Sequence, residues 1–291
     1  MRNIISIPAY NEEKTLTSVI EDIKKVMSNT SYKYDILVLN DGSTDNTETV
    51  AKKLGAIVKG HKRNMGLAYT FKREMEECLQ LKADIIIHTD ADGQYPAEYI
   101  PEMIKKVEEG YDLVLGTRFD KGMYSGSFIK KIGNIAFAKV FSNLLKTKIT
   151  DTTTGFRAFN RKVAELPLIN SFTYTQEQLI RTGRSNMDIF ELPIKTRETR
   201  SSRLFKNPFD YAVKAWVNIF RIYRDFQPLS FFGRIGIIFV SFGVAIGIWL
   251  VYLFLTTGKI GHVPSTILSM LLITTGVQII LFGFLADMFK K

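Results

Sequence analysis

Cysteine is almost absent from this chain, which has 291 residues and a single cysteine, Cys78. One cysteine excludes an internal disulfide and a cysteine-based metal cluster, and we expect Cys78 to be a small buried residue of a helix. Histidine is also scarce. His61, His88 and His262 lack the spacing of a metal site, and we expect His88 to be satisfied within a strand.

A signal peptide and a long basic tract are missing as well. The sequence begins RNIISIPAY, without a long apolar core, so we expect the first domain to stay on the cytoplasmic side. The formal net charge of +10 favours an anionic partner, and because the charge is dispersed we expect no nucleic acid partner. Hydrophobic residues make up 46% of the chain, enough for a sizeable core.

Short apolar runs alternate with helical patterns over residues 1–205. The runs predict strands at residues 4–8, 34–40, 56–60, 83–90 and 112–119, and the patterns predict helices at 49–55, 67–82 and 96–110. Asp45 and Glu48 resemble a capping box before the first of these helices. The alternation predicts an α/β domain with a Rossmann-like, mostly parallel sheet. Ligands of such sheets gather at the carboxyl ends of the strands, where PAYNEE, NDGSTD, HTDADGQ and GTRF follow.

Two carboxylates, Asp90 and Asp92, lie one residue apart after the strand that ends at HTD. A turn needs only one Asp or Gly, so the second carboxylate calls for an explanation. Hard divalent cations take oxygen ligands and leave room for substrate phosphates, and Gln94 offers a third oxygen. The pattern therefore predicts a Mg²⁺ or Mn²⁺ site, with a solvated acidic turn as the alternative.

The last part of the chain has the composition of a membrane anchor. Residues 235–255 and 267–284 contain no charge and come close to or exceed the roughly 18 to 20 residues that cross a bilayer, so we predict two spans. Gly243 and Gly247 form a GxxxG pair that would let the two helices approach closely. Residues 208–228 carry an aromatic stripe with basic flanks, which predicts either a helix in the membrane interface or a helix covering the sheet.

The distribution of positive charge predicts the orientation of these spans. The loop between them contains one lysine, whereas arginines and lysines flank their other ends. The positive-inside rule therefore places the first domain and both termini in the cytoplasm. The predicted organisation is a domain over residues 1–205, an amphipathic segment over 206–230 and a transmembrane hairpin over 231–291.

PAYNEE, NDGSTDNT, RNMGLAYT, DADGQ and TDTTTGFRAF together resemble, in this order, the motifs of family 2 glycosyltransferases. The two spans resemble the polyprenyl-phosphate branch, which contains dolichyl-phosphate mannose synthase and bacterial two-span relatives. The resemblance implies a GT-A-type fold and an inverting transfer of a hexose, mannose or glucose, from a GDP- or UDP-hexose to dolichyl or undecaprenyl phosphate. It places the reaction at the cytoplasmic membrane face and allows a homo-oligomer.

The resemblance also implies site residues. Those of the nucleotide pocket would be Pro8, Tyr10, Glu12 and Asp41, and those of the metal site on the donor diphosphate would be Asp90, Asp92 and Gln94. Arg118 and Arg203 would bind phosphates, with Lys131, Arg197 and Arg200 as further cations. Asp151 would position the acceptor or act as a base, although a turn or helix cap is an equal alternative, and Glu177 is a weaker candidate of the same kind.

Two other functions fit parts of the pattern. A processive polysaccharide synthase of the same superfamily usually has a QxxRW motif, which is missing, and more spans. A non-catalytic, membrane-anchored nucleotide-binding protein would not need the clustered metal ligands of DADGQ.

Overall fold

The structure is a computed structural model that describes residues 1–118, 138, 139, 141, 142, 145, 147–168, 174–197, 217, 220, 221, 224–258 and 263–289. The chain divides into two compact units, Met1–Pro208 and Phe209–Lys291. The division at residues 205 and 230 stays a prediction. The predicted interface helix over 208–228 falls almost wholly outside the described residues.

The first unit alternates strands and helices. Its strands are β1 Asn3–Ala9, β2 Tyr34–Asp41, β3 Ile57–His61, β4 Ile85–His88, β5 Leu113–Thr117, β6 Arg157–Asn160 and β7 Ile189–Pro193. Its helices are α1 Leu16–Met27, α2 Thr47–Lys53, α3 Leu67–Gln80, α4 Ile100–Glu108, α5 Arg161–Ala164 and α6 Tyr174–Arg184. Helix α1 was not predicted from the sequence, although its buried residues recur with helical spacing at Leu16, Val19, Ile20, Ile23 and Met27.

The strands form a seven-stranded sheet in the order β3-β2-β1-β4-β6-β5-β7. All neighbouring pairs are parallel except those of β6, which runs antiparallel to β4 and β5. The predicted α/β class with a mostly parallel sheet is confirmed. Because β6 runs in the opposite direction, the segment that leads into it meets the sheet at the carboxyl ends of the parallel strands.

Both faces of the central strands are buried, which explains their nearly continuous apolar sequences. Ile5, Ile7 and Val38 belong to a buried cluster with residues of α1 and α4. Their neighbours in the strands, Ile4 and Leu37, are equally buried but lie outside that cluster. Successive strand residues point to opposite faces, and α3 contacts β1 and β2. Cys78 is buried on α3, as predicted.

The predicted capping box before α2 is wrong. The helix begins after Asn46, and Asp45 accepts hydrogen bonds from the backbone N–H, at 3.0 Å, and the hydroxyl of Thr47. Glu48 instead pairs with Lys52 at 2.6 Å. The Asp45 side chain therefore forms a turn with the backbone two residues later, at Thr47. This turn competes with the predicted capping box.

The second unit contains two long apolar helices, α7 Pro228–Thr257 and α8 Val263–Met288. The most apolar 18 residues of each have mean hydropathies of 2.5 and 2.1, and both helices are long enough to cross a membrane, so the two predicted spans are confirmed as candidate membrane helices. Most of their large apolar side chains are exposed in the chain, as lipid-facing residues are.

Small residues line the contact between α7 and α8. A Cβ on Gly236 would lie 2.6 Å from the carbonyl oxygen of Gly276, and one on Gly243 would lie 2.9 Å from that of Ser269. The Ser269 hydroxyl donates to the Gly243 carbonyl at 2.7 Å. The predicted Gly243–Gly247 pair is correct only in part, because a Cβ on Gly247 would meet nothing closer than 3.4 Å. The close contacts recur every seven residues along α7, not every four.

Candidate active site

Polar loops collect at one edge of the sheet, where β1, β2, β4 and β5 end and β6 begins. The loops after β1 and β2 bind each other: Asn11 N–H donates to the Ser43 hydroxyl at 3.0 Å, and its side-chain oxygen accepts from Thr44 N–H at 2.8 Å. Glu12 N–H donates to the Thr47 hydroxyl at 2.9 Å. The residue pattern of PAYNEE and NDGSTDNT thus builds a pair of interlocked loops.

The predicted nucleotide-pocket residues of the PAYNEE segment lie at this edge, with Pro8 on β1 and Tyr10 and Glu12 in the loop after it. Pro8 is buried within the strand, Tyr10 is 38% exposed, and Glu12 is buried. The Glu12 carboxylate accepts from the Thr15 hydroxyl at 3.0 Å. Tyr10 is therefore the member of this group whose side chain offers most surface to a ligand.

Asp41 binds the loop after β3. One carboxylate oxygen lies 2.9 Å from His61 Nδ1 and accepts from Met65 N–H at 2.9 Å, and the other accepts from Gly66 N–H at 2.8 Å. The same loop crosses Gly42 so closely that a Cβ there would lie 2.4 Å from a backbone carbon. Asp41 therefore fixes the loop in front of α3, a role that the sequence analysis did not foresee, and its predicted place in the nucleotide pocket stays a prediction.

Asp90 and Asp92 follow β4 in a tight acidic turn. Gln94 N–H donates to one Asp92 oxygen at 2.9 Å, and Gly93 adopts a positive φ of 77° that suits glycine. Within the part of the chain that the structure describes, no hydrogen bond reaches the carboxylate of Asp90. Burial raises the pKa of Asp90 and the charge of Asp92 raises it further, while His88 and Arg118 act in the opposite direction.

The segment DTTTGF approaches Asp90 from the antiparallel strand β6. A Cβ on Gly155 would lie 3.0 and 3.2 Å from the two Asp90 carboxylate oxygens. The Gly155 N–H donates to the Tyr95 hydroxyl at 3.2 Å, and the Tyr95 ring stacks on Phe156 with the ring centroids 5.2 Å apart. Only glycine leaves the Asp90 carboxylate undisturbed at this position.

Arg118, directly after β5, forms a two-pronged ion pair with Asp151. Arg118 Nε donates to one carboxylate oxygen at 2.8 Å and Nη2 donates to the other at 3.1 Å, while Nη2 also reaches the Thr153 hydroxyl at 2.9 Å. The Asp151 side chain is wholly buried, and one oxygen accepts from Thr153 N–H at 3.0 Å. Burial opposes the charge of Arg118, but Tyr95 and Asp151 more than offset it, so the pKa of the guanidinium is raised.

Glu191 on β7 was not singled out in the sequence. Its carboxylate accepts from Thr150 N–H at 2.8 Å, from the Thr150 hydroxyl at 2.9 Å and from Asp151 N–H at 3.1 Å. The signal that could have found it is a lone acidic residue inside the short apolar strand IFELP.

His88, the last residue of β4, is fully buried two residues before Asp90. Its Nδ1 lies 2.8 and 2.9 Å from the two carboxylate oxygens of Glu74 on α3, and the Phe71 ring packs edge-on at 4.9 Å. The prediction of a histidine satisfied within the strand is confirmed at Nδ1, whereas Nε2 is buried without a hydrogen-bond partner among the described residues. Glu74 was not predicted from the sequence.

Arg157 begins β6 and is among the largest buried side chains, with 1% exposure. Nη1 donates to the Thr175 carbonyl at 3.0 Å and to Gln178 at 3.0 Å, and Nη2 donates to the Thr154 carbonyl. Arg157 thus ties the DTTTGF segment to α6. Glu177 on the same helix pairs with Arg181 at 2.8 Å, and its predicted role stays a prediction.

Of the predicted basic residues after β7, Arg197 lies within the described residues, whereas Arg200 and Arg203 lie outside them. The predicted cation Lys131 also lies outside the described residues. Arg197 N–H donates to the Gln94 carbonyl at 2.9 Å, and its guanidinium pairs with Asp22 at 2.6 Å. The chain that leads towards Arg200 and Arg203 is therefore attached to the acidic turn.

The acidic turn fits a divalent cation by its donor chemistry. A partly buried carboxylate without a hydrogen-bond donor, beside a second carboxylate and an amide side chain, supplies the oxygen ligands that Mg²⁺ and Mn²⁺ take. The described residues contain no group of three His, Cys, Asp or Glu side chains that could hold a metal. Two carboxylates suffice where substrate phosphates complete the coordination.

Comparison with known proteins adds an independent line of evidence. The family model described as Glycosyl transferase family 2 matches residues 4–166. The chain is 33% identical over 204 residues to dolichyl-phosphate hexose transferase of Haloferax volcanii, covering 69% of this chain and 84% of that protein. It is 28% identical over 221 residues to UDP-N-acetylglucosamine–dolichyl-phosphate N-acetylglucosaminyltransferase of Methanococcus voltae, covering 67% and 86%. It is 27% identical over 290 residues to glycosyltransferase AglJ of Haloferax volcanii, covering 98% and 92%.

A solved structure shares the fold. Glucosyl-3-phosphoglycerate synthase from Mycobacterium tuberculosis, crystallised with Mn²⁺, UDP and phosphoglyceric acid, matches with a TM-score of 0.61 at 22% identity, over 76% of this chain and 77% of that chain. The predicted GT-A-type fold is confirmed by this likeness.

Proposed function

The chain belongs to glycosyl transferase family 2 and is a glycosyltransferase, and we propose that it transfers a hexose from a nucleotide sugar to a polyprenyl phosphate. The donor is GDP- or UDP-linked, the hexose is mannose or glucose, and the acceptor is dolichyl or undecaprenyl phosphate. Two relatives are named for dolichyl-phosphate acceptors, and the two candidate membrane helices suit a lipid substrate.

The carboxylate of Asp90 is the observation that carries this proposal. It lies beside Asp92 at the sheet edge, near Arg118 and without a hydrogen-bond donor among the described residues, so a cation is the partner that fits it. Asp90, Asp92 and Gln94 would hold Mg²⁺ or Mn²⁺, which supplies charge neutralisation to the departing nucleoside diphosphate. A structural relative was crystallised with Mn²⁺ and UDP, which supports the choice of a divalent ion.

The protein's own side chains have distinct tasks in this reaction. Pro8, Tyr10, Glu12 and Asp41 border the nucleotide, and Arg118 binds a phosphate, with Arg203, Arg200 and Lys131 as further cations. A lipid monophosphate is already an anion, so its oxygen attacks the anomeric carbon with little help from a base, and a single displacement inverts that carbon. Because both Asp151 oxygens accept hydrogen bonds, we assign Asp151 the task of positioning Arg118.

The membrane orientation is part of the proposal. Positive charge flanking the two helices, and its scarcity between them, support a catalytic domain and termini on the cytoplasmic side. A homo-oligomer stays a prediction. A processive synthase is the weaker candidate, because the described residues contain only two helices that could span a membrane. A non-catalytic protein is excluded, because the chain belongs to a family of glycosyltransferases.

A donor panel tests this function. Detergent-purified protein is incubated with Mg²⁺ or Mn²⁺, a polyprenyl phosphate and labelled GDP-mannose, UDP-glucose or UDP-N-acetylglucosamine, and label is counted in the organic phase. We expect mannose or glucose to label the lipid with release of the nucleoside diphosphate, and UDP-N-acetylglucosamine to give no label. Asp92→Asn should abolish transfer, while Asp188→Asn, an exposed aspartate before β7, should retain it. Donor binding without lipid labelling for every sugar would refute the proposal.

A further inference from the structure

Glu191 is a half-buried acidic residue with no place in the proposed chemistry. It lies in the middle of β7, where it pairs with Leu115 of β5, and its three acceptor contacts all go to Thr150 and Asp151. Burial raises the pKa of Glu191, and the nearby charge of Asp151 raises it further, although the hydrogen bonds lower it. A strand residue whose surroundings disfavour its charged form is a candidate for a functional role.

The contacts of Glu191 fix the turn that presents Asp151. Two successive backbone N–H groups point at one carboxylate oxygen, which sets the direction of the chain from Thr150 to Asp151. The Thr150 hydroxyl donates to the other oxygen, so in the 2.7 Å contact between the Thr117 and Thr150 hydroxyls Thr117 is the donor. Glu191 therefore joins the end of β5 to the turn through both backbone and side chains.

The Asp151 carboxylate in turn fixes the position of the Arg118 guanidinium. Its two oxygens receive Nε and Nη2 of the guanidinium, and a fork of this kind tolerates little displacement of either partner. Backbone N–H of Arg118 also points to Asp151, at 3.3 Å. A shift of the turn at residues 150–151 would thus move the Arg118 guanidinium, which the proposed mechanism uses.

We propose that Glu191 is a positioning residue for sugar transfer, which acts through the Thr150–Asp151 turn to hold the Arg118 guanidinium in place. The inference rests on the proposed function, because it assumes that Arg118 binds a phosphate in the reaction. Glu191 itself need not touch the substrate. Its expected signature is that its effect on activity disappears once Arg118 has been removed.

A double-mutant cycle tests this coupling. Lipid transfer by Glu191→Ala, Arg118→Ala and the double variant is compared with that of the full-length protein, with Glu165→Ala, an exposed glutamate paired with Arg161, as the control. Because a misplacement of about 1 Å can cost roughly 100-fold in rate, we expect kcat/KM to fall by about that factor in Glu191→Ala. The fall should occur in the same parameter, kcat or KM, that Arg118→Ala changes. The double variant should be no worse than Arg118→Ala alone.

Glu191→Gln distinguishes positioning from charge. Its amide oxygen can accept the two backbone N–H groups, and its NH₂ group can donate to a Thr150 hydroxyl that now donates to Thr117. We expect this variant to keep kcat/KM within about tenfold of the unsubstituted protein. If Glu191→Ala does not fold, Thr150→Val replaces it in the cycle.

The outcomes separate this inference from the proposed function. Independent, multiplicative losses in the Glu191–Arg118 cycle, or in the Thr150–Arg118 cycle, would overturn the positioning role. So would full activity of Glu191→Ala. If the unsubstituted chain transfers no sugar to lipid from any donor, the proposed function fails first, and that failure is visible before any variant is compared.

Discussion

Gly155→Ala should weaken the metal site without changing any of its ligands. The added Cβ would lie 3.0 Å from Asp90 Oδ2 and 3.2 Å from Oδ1, whereas non-bonded atoms in good contact are about 3.5 Å apart. The carboxylate must therefore retreat by about 0.3 to 0.5 Å. Protein ligands usually hold their metal within about 0.2 Å of the preferred distance, so the displacement is large enough to matter.

The size of the effect follows from that displacement. If a misplacement of about 1 Å costs roughly 100-fold, a movement of half that size should raise the Mn²⁺ concentration for half-maximal transfer by about tenfold. This corresponds to about 1.4 kcal/mol of binding free energy. Folding should change little, because no hydrogen bond of the described residues is lost at Asp90.

The assay is a Mn²⁺ titration of lipid transfer after removal of metal by a chelator. Gly233→Ala is the matched control, because a Cβ there would meet nothing within 4 Å. A Gly155→Ala curve that superposes on that of the unsubstituted protein would refute the idea that the Asp90 carboxylate, in the position it has in this structure, binds the metal.

Three further predictions address other parts of the molecule. Asp41→Asn places an NH₂ group against the backbone N–H groups of Met65 and Gly66, which now donate to the carboxylate. The lost hydrogen bond should destabilise this loop by about 1 to 3 kcal/mol, so hydrogen exchange over residues 61–70 should become faster. Unchanged exchange would contradict the role of Asp41 in fixing the loop. Gly276→Leu should lower the free energy of unfolding in detergent by about 1 to 3 kcal/mol through overpacking, because its Cβ would lie 2.7 Å from the Gly236 carbonyl oxygen. The control Gly233→Ala should leave thermal stability unchanged. Because the folded state raises the pKa of Glu191, stability falls as pH rises from about 4.3 through the raised value. The Tm gain of Glu191→Gln over the parent should therefore grow between pH 4 and 8, and a constant difference would contradict the raised pKa of Glu191.

The sequence predicted the sheet well where the pattern is continuous. The five predicted strands are β1 to β5. Of these, β1, β2, β4 and β5 are buried on both faces and therefore read as apolar runs. β6 escaped notice because its sequence RAFN begins with the buried Arg157 and ends with Asn160, which leaves only two apolar residues in a row.

The candidate site was predictable in its residues but not in their contacts. Asp90 and Arg118 stand out because they follow strands in recognisable motifs, and Asp151 stands out because it opens the motif DTTTGF. Their pairing does not, because Arg118 and Asp151 are 33 residues apart and meet only through the reversal of β6. Glu191 lies in β7, which is not among the five predicted strands, so its contacts with the Thr150–Asp151 turn could be seen only in the fold.

Direct observation of the cation tests the account most closely. Mn²⁺ is titrated into the purified protein with UDP or GDP present, and the free ion is followed by electron paramagnetic resonance. We predict that the unsubstituted chain removes Mn²⁺ from solution in a one-to-one complex that depends on the nucleotide, and that the Asp90→Asn, Asp92→Asn double variant does not. Equal Mn²⁺ binding by both proteins would contradict the assignment of the acidic turn.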